Sequence, residues 1–277
     1  MSASAELILN ELIRSIALEG LIPEGSVLDA GTNNGADTCE FAAFMPSRTI
    51  HGLDPLQRNI ASLKRRCGSN PNIRPLLGGL GAVEQTLRVP LSKSRREGQQ
   101  ISIASHTSGE SPIGKGTRDS VAVLNVIGSN KTSGERGQEF DVWSVDQLFA
   151  TQWRDERLGF AHWDTEGNEL DILRGAVGTL RRDAPIFTVE CVVHKAPQYT
   201  AALLAFISSL DYDSYLIEEE AGAPLDTRNI LNLPRRYRGS MTAGGVHKGS
   251  RTLIQGSPTL KRCAAWHTGA RERHDHL

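Results

Sequence analysis

The amino-acid sequence predicts an α/β fold with a mostly parallel central sheet, flanking helices and an antiparallel hairpin insertion. Short apolar runs at 26–30, 49–53 and 158–163 alternate with segments of helical periodicity, an order that implies right-handed parallel crossovers. The first run ends in a glycine turn, Gly31-Thr32-Asn33-Asn34-Gly35, that leads straight into a helix. Midway the pattern changes to alternating stretches at 84–90 and 100–104, the period of an antiparallel strand pair.

Taken in order, Leu9, Leu12, Ile13, Ile16 and Ala17 recur at helical spacing, so 5–19 is an amphipathic helix stopped by Pro23-Glu24-Gly25. Strand 26–30 and the glycine turn precede a helix through Thr38, Phe41, Ala42 and Phe44. Strand 49–53 ends on Asp54-Pro55, with a helix over 59–66 and a third strand at 73–77 behind it. Beyond the hairpin, 121–127 is a further strand, and the Ser/Gly/Lys-rich stretches 92–99, 105–119 and 128–138 read as loops. Helix 144–150, strand 158–163, helix 168–181, strand 186–193 and helix 199–210 follow, and 215–219 with 230–233 forms a closing hairpin. These elements make one domain over 1–236, its N-terminal helix within 5–21. The remainder, 237–277, reads as a basic, poorly ordered tail. Residues 235–277 carry nine Lys/Arg against two Asp/Glu, about +7, which leaves about −8 for the rest.

Composition narrows the classes of function. The chain has 31 Lys+Arg against 32 Asp+Glu, a formal charge of −1 that exerts no general pull toward nucleic acid or anionic membrane. Gly and Pro together make 39 of 277 residues, too few for a collagenous or low-complexity chain. No stretch approaches the roughly 20 apolar residues of a bilayer span. Glu6, Glu11, Arg14 and Glu19 break up any N-terminal signal-like run. Cys39, Cys67, Cys191 and Cys263 show no C-x-x-C pair, so reduced, packed thiols in a cytoplasmic protein are the expectation.

Four groups of residues carry chemistry. In Asp29-Ala30-Gly31-Thr32-Asn33-Asn34-Gly35 the glycines let backbone approach a ligand, and the acidic Asp29 suits an ammonium-bearing ligand rather than a diphosphate. The spacing is G-x-x-x-G, not the dinucleotide G-x-G-x-x-G. Asp54, at the end of the next strand, can accept from both hydroxyls of a ribose, or can cap the helix beyond Pro55. In His162-Trp163-Asp164-Thr165-Glu166-Gly167-Asn168-Glu169 a strand ends on carboxylates, placing Asp164 and Glu166 toward the same cleft, with Glu169 in the first turn of the next helix. Glu190 and His194, near the end of strand 186–193, can orient or deprotonate a hydroxyl, or serve structure alone.

These motifs resemble the FkbM family of S-adenosylmethionine-dependent methyltransferases. Asp29 through Gly35 is similar to its D-x-G-A-N-x-G turn, with Thr32 in place of alanine, and His51-Gly52-Leu53-Asp54-Pro55 to its acidic-Pro step. Asp164-Thr165-Glu166-Gly167-Asn168-Glu169, with Leu173-Arg174-Gly175-Ala176, resembles its D-x-E-G-x-E…L-x-G-A. Val189-Glu190 and Arg228-Asn229-Ile230-Leu231 with Pro234 complete a resemblance over about 20–236. The chain departs from the pattern at Ala161-His162-Trp163, where the family carries a lysine before the aspartate motif.

The resemblance implies a Rossmann-like class I methyltransferase fold and O-methylation of a hydroxyl on a small molecule, a sugar or secondary metabolite. It assigns Gly31, Thr32, Asn33 and Gly35 to the methionine part of S-adenosyl-L-methionine, Asp29 to its amino group and Asp54 to its ribose. Asp164 belongs beside the methionine end, and Glu166, Glu190 or His194 positions or deprotonates the acceptor. No metal is required, although Asp164 and Glu190 are candidates for one. A nucleic-acid 2′-O-methyltransferase and a cofactor-binding module without turnover are the rivals. The first is suggested by the basic tail and opposed by the missing lysine. Oligomeric state stays open.

Overall fold

Five of the expected strands lie side by side at the centre of the computed structural model, which describes residues 5–90, 101–102, 122–123, 137–165, 167–191, 197–217, 228–237 and 260–262. The first half of the chain gives α1 (Ala5–Leu18), β1 (Ser26–Ala30), α2 (Ala36–Phe44), β2 (Ile50–Asp54), α3 (Gln57–Cys67), β3 (Ile73–Leu77), β4 (Gly79–Leu80) and β5 (Gln85–Pro90). The short strands β6 (Ile101–Ser102) and β7 (Ala122–Val123), then β8 (Gly137–Trp143), α4 (Val145–Ala150), β9 (Leu158–Trp163) and α5 (Glu169–Arg174) follow. The remainder is α6 (Val177–Asp183), β10 (Ile186–Cys191), α7 (Pro197–Ser209), β11 (Tyr212–Ile217), β12 (Arg228–Pro234) and β13 (Leu260–Arg262).

Eight strands form the main sheet in the order β13-β11-β12-β10-β9-β1-β2-β3. β3, β2, β1, β9 and β10 run parallel, and β12 inserts antiparallel between β10 and β11. β1, β2 and β9 are buried along their whole length, as strands covered on both faces must be, which is why each reads as an apolar run. α1 to α3 cover one face through Leu9, Ile13, Ile16, Phe41 and Leu63. α4 to α7 cover the other through Leu148, Phe149, Leu173, Leu180, Leu203 and Ile207. From β1 the chain winds outward to β3 and then returns to β9 on the opposite side of β1. At that reversal the carboxyl ends of β1 and β9 diverge into helices on opposite faces and leave a crevice.

The structure corrects three sequence expectations. The stretch at 84–90 pairs with β8, Gln85 opposite Val142 and Pro90 opposite Gly137, rather than with 100–104. β6 instead pairs in parallel with β7, and β4 with β8. Phe140 and Val142 are buried while Glu139 and Asp141 are exposed, a two-residue period masked by the Gly- and Gln-rich lead-in.

Second, helix 168–181 is two helices. The Gly175 carbonyl accepts from the Asp146 amide, and the Asp146 carboxylate accepts from the Gly178 and Thr179 amides at 2.8 and 2.6 Å. α4 therefore takes the backbone groups that would have continued α5 into α6. Third, Cys39 and Cys67 are joined in a disulfide between α2 and α3 rather than held as thiols, although 28 residues separate them in sequence. Cys191 is a buried thiol, and Cys263 lies outside the described residues. Of the tail, 260–262 supplies β13 at the outer edge, against Tyr215, Leu216 and Ile217. No helix among the described residues is long and apolar enough to cross a membrane.

Candidate active site

A crevice open to solvent lies over the reversal between β1 and β9. Four segments line it: Ala30 and Gly31; Leu53, Asp54 and Pro55; Gly78, Gly79 and Leu80; and Asp164, Thr165 and Asn168. The structure thus brings Gly31, Asp54 and Asp164 together. The Asp164 amide donates to the Ala30 carbonyl at 3.1 Å, so the ends of β1 and β9 touch through backbone. Gly31 has φ +92°, and a Cβ there would fall 1.7 Å from the Asp164 carbonyl oxygen. Only glycine fits that position.

The turn's own amides are largely committed within the chain. Those of Gly31 and Thr32 both donate to the Leu53 carbonyl, and that of Gly35 donates to the Thr32 carbonyl. The Asn33 amide donates to Asp54 Oδ2 at 3.0 Å, with Asn33 itself at φ 49°. The acceptors left over are Thr32 Oγ1 and Asn33 Oδ1, both buried and without a hydrogen-bond partner among the described residues. Gly35 serves packing: a Cβ there would meet the Leu63 backbone of α3 at 2.9 Å.

Of the two sequence readings of Asp54, its contacts show the one that ties it to the start of α3. Its Oδ1 accepts from the Leu56 amide at 2.8 Å, leading into α3, and its Oδ2 also accepts from Asn59 Nδ2 at 3.1 Å. The residue still forms part of the crevice wall, and Oδ1 retains acceptor capacity. Burial pushes its carboxyl up to about 6, against the pull of its hydrogen-bond donors. Asp29 lies deeper, outside the lining, where Thr38 Oγ1 donates to its Oδ2. Burial is the main cause that raises its carboxyl to about 7, opposed by His162 and reinforced by Asp37 and Asp164.

His162 sits opposite Asp29 in the sheet, buried, with Nδ1 2.8 Å from Thr188 Oγ1 and its ring edge-on to Phe41. Trp163 is fully buried against Phe187. Both residues at the departure from the family pattern therefore pack within the sheet. Glu190 lies at the end of β10, one residue beyond the Val189–Trp163 pairing, and is not part of the lining. Glu166 and His194 lie outside the described residues, as do most of the segments 92–119 and 128–138. Among the described residues no group of three or more His, Cys, Asp or Glu side chains is arranged to hold a metal ion.

Sequence reasoning missed one wall of the crevice, 78–80, which the Gly78-Gly79 pair directly after strand 73–77 marks as a turn. It also missed the part of Asn168 in the wall that Asp164 had marked: its Nδ2 donates to the Leu80 carbonyl at 2.7 Å and ties the two walls together, a contact no local pattern announces.

A family model described as the methyltransferase FkbM domain matches residues 29–214, from Asp29 at the glycine turn to Ser214 in β11. The chain belongs to the FkbM methyltransferase family. With its strand order, this FkbM methyltransferase has the expected class I, Rossmann-like sheet with helices on both faces.

Similar solved structures include an FkbM methyltransferase from Methylobacillus flagellatus, at 17% identity and TM-score 0.46, covering 75% of this chain and 43% of that one. The chain thus spans less than half the length of the Methylobacillus protein. An rRNA methylase from Streptococcus thermophilus matches at 10% identity and TM-score 0.44, over 84% of this chain and 98% of that one. Fibrillarin from Aeropyrum pernix, in complex with natively bound S-adenosyl-L-methionine, matches at 12% identity and TM-score 0.42, over 80% and 74%. No curated protein matches the sequence.

The crevice fits the family's cofactor on its own chemistry. Asp54 and Asp164 put two carboxyl groups on its lining, acceptors for a group rich in N–H and O–H donors, while Thr32, Asn33 and Asp29 lie outside that lining. The missing side chain at Gly31 makes room for the Asp164 carbonyl and lets the ends of β1 and β9 meet at the crevice wall.

Proposed function

We propose that this FkbM methyltransferase transfers the methyl group of S-adenosyl-L-methionine to a hydroxyl of a small molecule, a sugar or secondary metabolite. The observation that carries the reading is the joint placement of Gly31, Asp54 and Asp164 on one crevice at the reversal of strand order. Bound S-adenosylmethionine supplies an electrophilic methyl on a sulfonium, which an incoming oxygen displaces in line.

The chain's own residues supply binding and alignment. Asp54, with acceptor capacity left on Oδ1, takes the ribose hydroxyls. Gly31 stands at the methionine end, and Thr32, Asn33 and Asp29, outside the lining, shape the turn that carries it. Asp164 closes the crevice where β9 meets β1. At the neighbouring strand end, the Glu190 carboxylate orients the acceptor and takes its proton, with Glu166 and His194 as alternatives; such a base is typically worth about 10²–10⁴ in rate. Alignment at near-attack distance supplies most of the remainder.

Calorimetry with S-adenosylhomocysteine tests the binding half. The wild-type chain should bind, and Asp54→Ala should bind at least about tenfold more weakly for the loss of charge-assisted hydrogen bonds. Equal affinity for the two removes Asp54 from the ribose site. Transfer of a labelled methyl to hydroxyl-bearing small molecules tests the chemical half, with Glu190→Gln lowering kcat while cofactor affinity holds.

A further inference from the structure

Asp164 and Thr165 reach the crevice from the loop between β9 and α5, a segment irregular enough to hold Gly167 at φ +98°. One buried side chain organises it. Glu169, the first residue of α5 and only 1% exposed, accepts at Oε1 from the Thr165 amide (3.0 Å), the Thr165 hydroxyl (3.0 Å) and the Gly167 amide (3.2 Å). Its Oε2 accepts from the Tyr199 hydroxyl at 3.0 Å, and that hydroxyl accepts from the Leu170 amide at 3.1 Å. Tyr199 belongs to α7, so the contact ties the loop after β9 to the helix that follows β10.

A glutamate that merely capped a helix would reach back to the single amide of the N-cap residue. Here the three donors to Oε1 lie in the loop ahead of α5, and the donor to Oε2 comes from another helix. Burial raises the Glu169 carboxyl and the Tyr199 hydroxyl above their ordinary ranges, and the amides of Glu169 itself and of the loop pull the carboxyl back down. We propose that Glu169 and Tyr199 are positioning residues that hold the Asp164–Thr165 wall of the crevice in its cofactor-binding shape. The inference rests on the methyltransferase reading of that crevice.

Glu169→Gln and Tyr199→Phe in the full chain, with S-adenosylhomocysteine as probe, test it. Both variants should melt cooperatively and keep the amide-exchange protection of β1 and β9. Exchange at the Thr165 and Gly167 amides should speed up about tenfold or more, the equivalent of one lost charge-assisted hydrogen bond. Affinity for the probe should fall at least about fivefold, a change a purely structural cap would not produce at an unchanged melt. A variant-free arm uses the wild type, where saturating probe should slow exchange of the same two amides by about tenfold or more. Wild-type exchange there that ignores the probe, or folded variants that bind it as the wild type does, overturns the proposal and leaves the methyltransferase reading standing. A wild-type chain that does not bind the probe at all overturns the reading itself and the inference with it.

Discussion

Asp29 is a carboxyl placed where water does not reach, in the middle of the central sheet, and its consequence is a pH dependence of stability. Its folded value of about 7 lies above the ordinary 3.8, so the folded chain holds a proton that the unfolded chain releases. Stability therefore falls as pH rises across that window, because the unfolded state binds fewer protons there. Asp54, raised to about 6, acts with the same sign. Asp29→Asn keeps an oxygen to accept from Thr38 and removes the titration. In melts across a pH series, the wild type should lose stability relative to Asp29→Asn between 3.8 and about 7. A constant difference would exclude the buried titration. At this scale the sequence marked Asp29, Asp54 and Asp164 as acidic residues at strand ends, and the contacts distinguish them. Asp54 and Asp164 line the crevice, whereas Asp29 turns toward Thr38 beneath it.

At the scale of elements, α2 and α3 flank the glycine turn and the Asp54 step, and their contact sets how those two meet. Gly35 at the start of α2 packs on Leu63 of α3, and the Cys39–Cys67 disulfide ties the same helices. Closing a loop of 28 residues removes conformational freedom from the unfolded chain worth about 3–4 kcal/mol in the chain-entropy account. Denaturant unfolding with and without reductant should differ by about that amount, and Cys39→Ser should behave as the reduced chain does. Identical midpoints would show that the bridge contributes nothing to stability. Strand β13 fell in a stretch expected to be poorly ordered. Strands β1, β2, β9 and β10 were legible because burial on both faces leaves apolar runs, and helices α1 and α3 because their periodicity is local. The break between α5 and α6 was not, since it depends on Asp146 of another helix. The pairing of β5 with β8 was not either, since 46 residues lie between Pro90 and Gly137 and period alone names no partner.

For the whole molecule, the reversal of strand order at β1 and β9 is what assembles a site from residues as far apart as Gly31 and Asn168. β13 lies at the far edge of the same sheet and meets it only through β11. Removing 238–277 should therefore preserve a cooperative melt and binding of S-adenosylhomocysteine, with a modest loss of melting temperature from the bared edge of β11. Loss of the cooperative transition would show that the edge strand is needed to close the fold.

Local chemistry was readable from the chain alone: strand runs, a glycine turn, acidic strand ends and the order in which they come, since each depends on near neighbours. That was enough for the fold class and the family, and for most of the acidic residues around the crevice. Folding alone decided which carboxylates share a wall and which are sealed beneath it. It also decided which two cysteines meet and which helix lends Tyr199 to the loop beside Asp164. Those outcomes depend on contacts between elements distant in sequence, where packing and the exclusion of water, rather than local preference, set the partners.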